Sequence, residues 1–372
     1  LEFDLREGSR DRNGFRGAVS GTSASAVFEG PLGPDKRGSW LVSMRKSYID
    51  WLVRKLEPEV DSTIGFGDAQ AKVAYDVTSR QQVQVLLIGG RATYRELQTS
   101  FANGILKATS TSGLVSTSWR YARDRFVVTK RVSLVGSDFN NGGVVFQQLG
   151  RGYTQAVTLR LDVTATLGRG WGFDAGAIRE RFRMNQILRD FATAPGGGVR
   201  VRNARELSAK TTLLAGWAQV GKRGEAGGVL AGVRMAGRTL ASESAVSPWI
   251  LGERAFGPLT LRAGAGRSAQ FPDPALFGVE AGPVLPERAT SLDVGAEYRL
   301  PAGARLLVTG FHRRETRILR ATGENRLDPI LGTRIVEFPF PVFAPSLEGT
   351  SRGVDLTILV RTTVYAMACT SA

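Results

Sequence analysis

The chain has 372 residues, enough for one large domain or two ordinary ones, and 42% of them are hydrophobic. Lys and Arg outnumber Asp and Glu by 49 to 34, a net charge of +15. The basic residues are spread along the whole chain and no nucleic-acid motif gathers them, so no nucleic-acid partner is expected. No run of about eighteen apolar residues occurs, which excludes a transmembrane helix but not a membrane barrel, whose strands carry only an alternating signal.

The residues for common chemistry are missing. A single cysteine, Cys369, leaves no disulfide within the chain, and with a single histidine, His312, a Cys/His metal site is not expected. His312 stands beside Arg313 and Arg314 in a strand-like segment and reads as a lumen or rim side chain. No nucleophile with a base, no paired-carboxylate site and no phosphate loop can be assembled. The chain therefore reads as no enzyme and calls for no cofactor. A surface enzyme built on a barrel would have to use His312 in a Ser/His/Asp cluster.

Taken in order, alternating segments recur from end to end. A short arm at Leu1–Arg6 precedes Phe15–Gly30, Ser39–Ser47, Phe66–Thr78, Gln82–Leu97, Gly113–Ala122 and Phe126–Asp138. The clearest hairpin is Gly152–Met184. Its first arm puts Tyr153, Gln155, Val157, Leu159, Leu161, Val163, Ala165 and Leu167 on one face, with Thr154, Ala156, Thr158, Arg160, Asp162, Thr164 and Thr166 on the other. This is period two, apolar against polar. Gly168-Arg169-Gly170 makes the turn, and Trp171, Phe173, Ala175 and Ala177 resume the apolar face. Asn203–Val220, Glu225–Arg238, Val246–Phe256, Leu259–Ala269, Arg288–Leu300, Ala304–Arg320 and Leu347–Arg361 complete roughly seventeen strands. Polar faces suit a lumen and apolar faces suit lipid. One helix is expected over Ser47–Leu56, where Ile49, Leu52, Val53 and Leu56 share a face and Glu57-Pro58 ends the run.

Connections alternate strictly between short and long, which sorts them to opposite ends of an up-and-down strand series. Outer-membrane barrels have this asymmetry, with tight periplasmic turns and long outer loops. Trp40, Tyr75, Trp119, Tyr121, Phe126, Trp171, Phe173, Trp217 and Tyr298 cluster beside the short turns on the apolar face, as a girdle at the lower interface would. Beyond Ala177 that face continues as Arg179, Arg181 and Arg183. Arginine in mid-bilayer costs roughly 2–4 kcal/mol, so the strand has left the hydrocarbon there, and these side chains either meet lipid phosphates or are simply solvated.

Three stretches resemble TonB-dependent outer-membrane receptors. The longest is Gly264–Leu300, with Leu285-Pro286-Glu287-Arg288 ahead of Ser291, Asp293, Gly295 and Glu297. Ser351–Arg361, SRGVDLTILVR, is similar to the family's following strand. LEFDLREGSR followed by VFEGPLG resembles the start of such a barrel. The resemblance implies an all-β, antiparallel up-and-down transmembrane barrel over residues 1–372, with roughly 17 of about 22 strands and without the N-terminal plug and TonB-engaging motif. A chain of this kind would be a fragment, because an open barrel leaves two strand edges that lipid does not tolerate.

What the resemblance implies for function is energy-coupled uptake of a scarce solute across the bacterial outer membrane. The alternative is a passive porin-like or structural barrel. Expected partners are outer-membrane lipid, a small solute such as a siderophore, cobalamin, saccharide or peptide, and the TonB complex through the missing N-terminal part. Solute contact is expected in the long loops, with Phe271 and Phe277 in Gln270–Glu287 and Phe338, Phe340 and Phe343 in Ala321–Ser346 as candidates. The same aromatics would also serve to pack the loops together.

Overall fold

The computed structural model describes residues 6–57, 62–98, 102–144, 147–193, 196, 198–241, 243–273, 285–322, 326–327, 334–335 and 342–359. Sixteen strands form one antiparallel sheet. In chain order they begin with β1 (Gly14–Val19), β2 (Ser23–Leu32), β3 (Gly38–Ser47), β4 (Ser62–Thr78) and β5 (Gln81–Glu96). β6 (Lys107–Arg123), β7 (Phe126–Gly142), β8 (Gln148–Gly168), β9 (Trp171–Thr193) and β10 (Val199–Gly224) follow. β11 (Gly227–Arg238), β12 (Ala245–Phe256), β13 (Leu259–Gln270), β14 (Glu287–Arg299) and β15 (Arg305–Thr322) continue the series. β16 (Arg326–Leu327) and β17 (Arg334–Ile335) pair with each other inside the last connection, and β18 (Val342–Leu359) returns to β15. Each strand of the large sheet pairs with its neighbour in sequence, with β18 beside β15. Among the described residues β1 and β18 are not paired with each other, so the sheet has two edges.

The expected count was close, but its first members were misplaced. Most of the Leu1–Arg6 arm lies outside the described residues. Phe15–Gly30 is two strands, folded at Ser20–Thr22. Ser20 makes that turn, its Oγ bonding the Ser23 carbonyl at 3.1 Å and accepting from the Ser23 amide at 3.1 Å. This three-residue turn lies at the end of the sheet where long connections were expected, so short and long do not strictly alternate. Several long connections are also partly strand: β7 and β8 run on to Gly142 and from Gln148, and β15 and β18 run to Thr322 and from Val342.

Register fixes which residues share a face, because side chains alternate with period two. Leu161 pairs with Lys130 and Ala177, Val163 with Val128 and Ala175, and Leu159 with Val132 and Arg179. Val157, Leu159 and Leu161 are 41%, 45% and 37% exposed, although they are large and apolar. A row of half-exposed Val and Leu across consecutive strands is a surface made for lipid rather than water. The opposite face carries Arg160, Asp162 and Thr164, as the alternation required. On β8 the apolar positions run from Leu167 to Val157, about the 9–11 residues that a tilted strand needs to cross the hydrocarbon. β8, β9 and β10, with 21, 23 and 26 residues, are much longer and extend beyond it.

The helix forms where predicted. α1 spans Ile49–Leu56, and its last turn closes with the Glu57 amide on the Val53 carbonyl at 2.9 Å. It packs on β4, where an added Cβ at Gly65 would lie 3.6 Å from the Asp50 carboxyl carbon. Gly65 pairs with Thr93 and belongs to the apolar, outward phase, so α1 lies on the outside of the wall.

The hairpin between β8 and β9 turns on Arg169-Gly170, both with positive φ (50° and 79°), the conformation that suits the twist of paired strands. A Cβ at Gly170 would overlap the Arg223 carbonyl on β10. Gly170→Ala is expected to destabilise the folded chain by roughly 1–3 kcal/mol, read as a lower urea midpoint in detergent. Gly257→Ala, with φ of 58° and open space around it, should cost less. The face assignment has its own check: a lipid-phase thiol probe should label Leu159→Cys and spare Arg160→Cys.

Candidate functional site

The polar face is concave. A cleft of about 620 Å³ runs along it over β9 to β15, with Asp174, Leu230, Glu253, Arg262, Gly264 and Glu297 among its walls. Six adjacent strand pairs contribute to one cleft only if the sheet curls around it. Register places these side chains in one phase: Leu230 opposes Leu251, Glu253 opposes Arg262, and Gly264 opposes Asp293. Glycines make its floor at Gly221, Gly228, Gly264 and Gly295.

A ladder of alternating charge crosses the cleft near the short turns. Arg223 lies 3.6 Å from Glu253 and Arg262 lies 3.5 Å from the same carboxylate. Arg262 also reaches Glu297 at 3.0 Å, and Arg305 approaches Glu297 at 3.6 Å. Glu297 is the buried member, its side chain 8% exposed, while Arg262 and Arg305 are half-exposed. Such a row fixes β10 and β12 to β15 against one another, and it leaves guanidinium edges open to the lumen.

Two tryptophans also stand on this face. Trp217 pairs with Gly176, and a Cβ at Gly176 would overlap its ring. Trp249 sits over Gly232 in the same way. Arg160 is held by Asp162 at 2.8 Å and lies 5.5 Å from the Trp217 ring centre. This corrects the expected girdle. Trp40, Tyr75, Trp119, Tyr121, Phe126, Trp171, Phe173 and Tyr298 share the outward phase, but Trp217 points inward because it stands opposite Gly176, in the phase of Asp174 and Arg160. Of the two readings of His312, lumen or rim, the register disfavours the lumen: it opposes Leu292 and belongs to the outward phase.

The arm before β1 lies on the concave side as well. Arg6 bonds Glu29 at 2.6 Å, the Ser9 amide bonds Glu29 at 3.1 Å, and Arg10 pairs with Asp76. Glu29, Asp76 and Gln84 all belong to the polar phase of β2, β4 and β5, and Gln84 reaches Glu7 at 3.3 Å.

At the other end the long connections are tied to one another. Asn103 bonds the Phe191 amide at 2.7 Å and its carbonyl at 3.0 Å, linking the β5–β6 connection to β9. Glu243 takes Arg288 at 2.9 Å and also Arg317. Phe271 follows β13 directly and is half-buried. Phe343 lies in β18, its backbone paired with Ala321. Phe277, Phe338 and Phe340 lie outside the described residues. The predicted aromatics are therefore not brought together by the described structure. The charge ladder was not foreseen from sequence. Only the register across five strands makes Arg223, Glu253, Arg262, Glu297 and Arg305 neighbours.

Removing the shared carboxylate leaves two arginines facing each other. Glu297→Gln is expected to destabilise the chain by roughly 1–3 kcal/mol, discounted for the half-exposed partners. A double-mutant cycle with Arg262→Gln in chemical denaturation should return a coupling of about 1 kcal/mol. Zero coupling would mean that the ladder is only a solvated row.

No protein-family model and no curated protein sequence matches the chain. Solved structures do. The siderophore receptor PirA from Acinetobacter baumannii is 11% identical with a TM-score of 0.63, over 95% of this chain and 58% of its own. The ferric-catecholate import receptor Fiu from K12 E. coli is 9% identical with a TM-score of 0.65, over 96% and 63%. The copper transporter OprC is 15% identical with a TM-score of 0.65, over 96% and 60%. The chain thus spans about three-fifths of the length of these structures. At such low identity the likeness speaks for fold alone, and the fold is the barrel of TonB-dependent outer-membrane receptors.

Proposed function

We propose that the chain is the barrel part of an outer-membrane receptor that admits a scarce solute through its lumen, in an energy-coupled way. The observation that carries this reading is the sixteen-strand meander, which follows receptor barrels over nearly its whole length. Its outward phase is apolar with an aromatic girdle, which fits a lipid boundary in the outer membrane. Its concave phase is polar and charged, which fits a lumen that carries water or holds an interior domain. The arm at Arg6–Asn13 starts on that concave side, so a plug joined ahead of it would begin inside the barrel. Residues 1–372 are accordingly read as one partial barrel domain, with the TonB complex as partner of the part ahead of it.

The neighbouring structures are described as receptors or transporters for siderophores, ferric catecholate and copper. A small solute, metal-bound or not, is the class this reading favours here. Recognition belongs to the outer connections, which are tied together through Asn103 and Glu243 on a rigid wall. Phe271, Phe277, Phe338, Phe340 and Phe343 remain its candidate contacts, and proline in those segments limits the entropy lost on binding. The test uses the full-length receptor. Deleting residues 328–333 is expected to weaken solute binding at least about tenfold while the barrel still inserts, measured by equilibrium binding on outer membranes. Unchanged affinity would place recognition elsewhere. Uptake that persists after the proton-motive force is collapsed would favour a passive pore.

A further inference from the structure

Ion pairs occur on both faces of the wall: outward, Arg314 meets Glu348 and Arg288 meets Glu243. On the concave face Arg45, Arg160, Arg262 and Arg305 each pair with a carboxylate. On the outward face, above the apolar band, several cations do not. β5 presents Val83, Val85 and Leu87 outward, then Arg91 and Arg95. Lys107 on β6 stands directly opposite Arg95 in the register. A like-charge pair directly across a strand ladder is destabilising unless something neutralises it. Among the described residues no ion pair is formed by Arg91, Arg95 or Lys107. A second pair of this kind, Arg183 opposite Lys210, occurs on β9 and β10 beside Arg179 and Arg181.

At Arg91, Arg95 and Lys107 the surface is also hollow. A pocket of about 280 Å³ lies between these side chains and α1, which contributes Asp50 and Arg54. One water occupies roughly 30 Å³, so a phosphate group fits with room to spare. Arg54 is partly neutralised by Asp50 at 3.3 Å, and Arg91, Arg95 and Lys107 supply the net positive charge. The exposed Trp51, with the Lys55 ammonium 5.5 Å from its ring centre, puts an amphipathic side chain at the same level, as expected of a helix lying among headgroups.

We propose that this pocket binds the phosphate of a phosphorylated lipid headgroup in the outer leaflet, held by Arg91, Arg95 and Lys107 beneath α1. The proposal rests on the outward face being the lipid-facing one. Its occupant is a lipid rather than a free anion, because the pocket opens directly above the apolar rows of β5 and β6, where acyl chains would run. Guanidinium and ammonium groups suit phosphate oxygens through charge-assisted hydrogen bonds.

The test reconstitutes the full-length receptor into nanodiscs of phosphatidylethanolamine, with and without diphosphorylated lipid A, and measures lipid A retained after washing. Arg91→Gln/Arg95→Gln/Lys107→Gln is expected to lower lipid A affinity at least about tenfold, and Arg95→Gln alone by a smaller factor. Lys222→Gln, on the outward face at the short-turn end, should leave it unchanged. Dephosphorylated lipid A should not be retained above background, and inorganic phosphate should bind far more weakly than the lipid. Parental retention by the triple variant would overturn the proposal, as would equal retention of dephosphorylated lipid or equally tight binding of inorganic phosphate. A triple variant that does not insert hands the decision to Arg95→Gln and Lys107→Gln singly, with the same criteria. A parent full-length receptor that enters no nanodisc would instead overturn the membrane reading on which the site depends.

Discussion

The structure depends on a single demand: every backbone amide and carbonyl in a wall between lipid and water must be satisfied by a neighbouring strand. A meander meets that demand locally, since each strand finds its partner immediately before or after it in sequence. Once pairing is set, period two decides everything about the faces. One face carries Val, Leu and aromatic side chains outward, and the other carries Arg, Asp, Glu, Gln and Thr into the concavity. The edges at β1 and β18 leave that demand unmet within the described residues. They are the two places where the backbone ladder lacks a described partner, and a barrel that closes in a membrane has none.

In the concavity, carboxylates sit across from guanidiniums, and Glu297 bridges two of them while largely buried. Water is close by, so such pairs contribute modest stability and considerable register specificity. On the outside, above the apolar band, Arg314 still meets Glu348, but Arg95 stands opposite Lys107 and Arg183 opposite Lys210. Positive charge placed against positive charge is a cost within the protein alone. It becomes favourable beside the anionic headgroups of a membrane.

Glycine shapes the interior as much as charge does. Trp217 and Trp249 each lie over a glycine of the neighbouring strand, and the floor of the cleft is lined by further glycines. A ring that occupies the space above a neighbouring glycine is possible only because that residue has no side chain.

The sequence by itself determined the strand-by-strand alternation, the turn at Gly168–Gly170, the helix at Ile49–Leu56 and the short-turn end of most hairpins. Each of these is a local property, written in residues two, three or four apart. Tertiary structure decided what depends on register between strands. In Phe15–Gly30 the outward positions change from odd (Phe15, Val19) to even (Ala24, Phe28) across Ser20–Thr22, where the chain folds back into β1 and β2. Trp217 was assigned to the wrong face, and His312 was left between lumen and rim, because their side of the wall is set by their partners, Gly176 and Leu292. The charge ladder from Arg223 to Arg305 and the basic pocket under α1 were invisible for the same reason. Their members are brought together by hydrogen-bonded pairing across several strands, and no spacing along the chain records it.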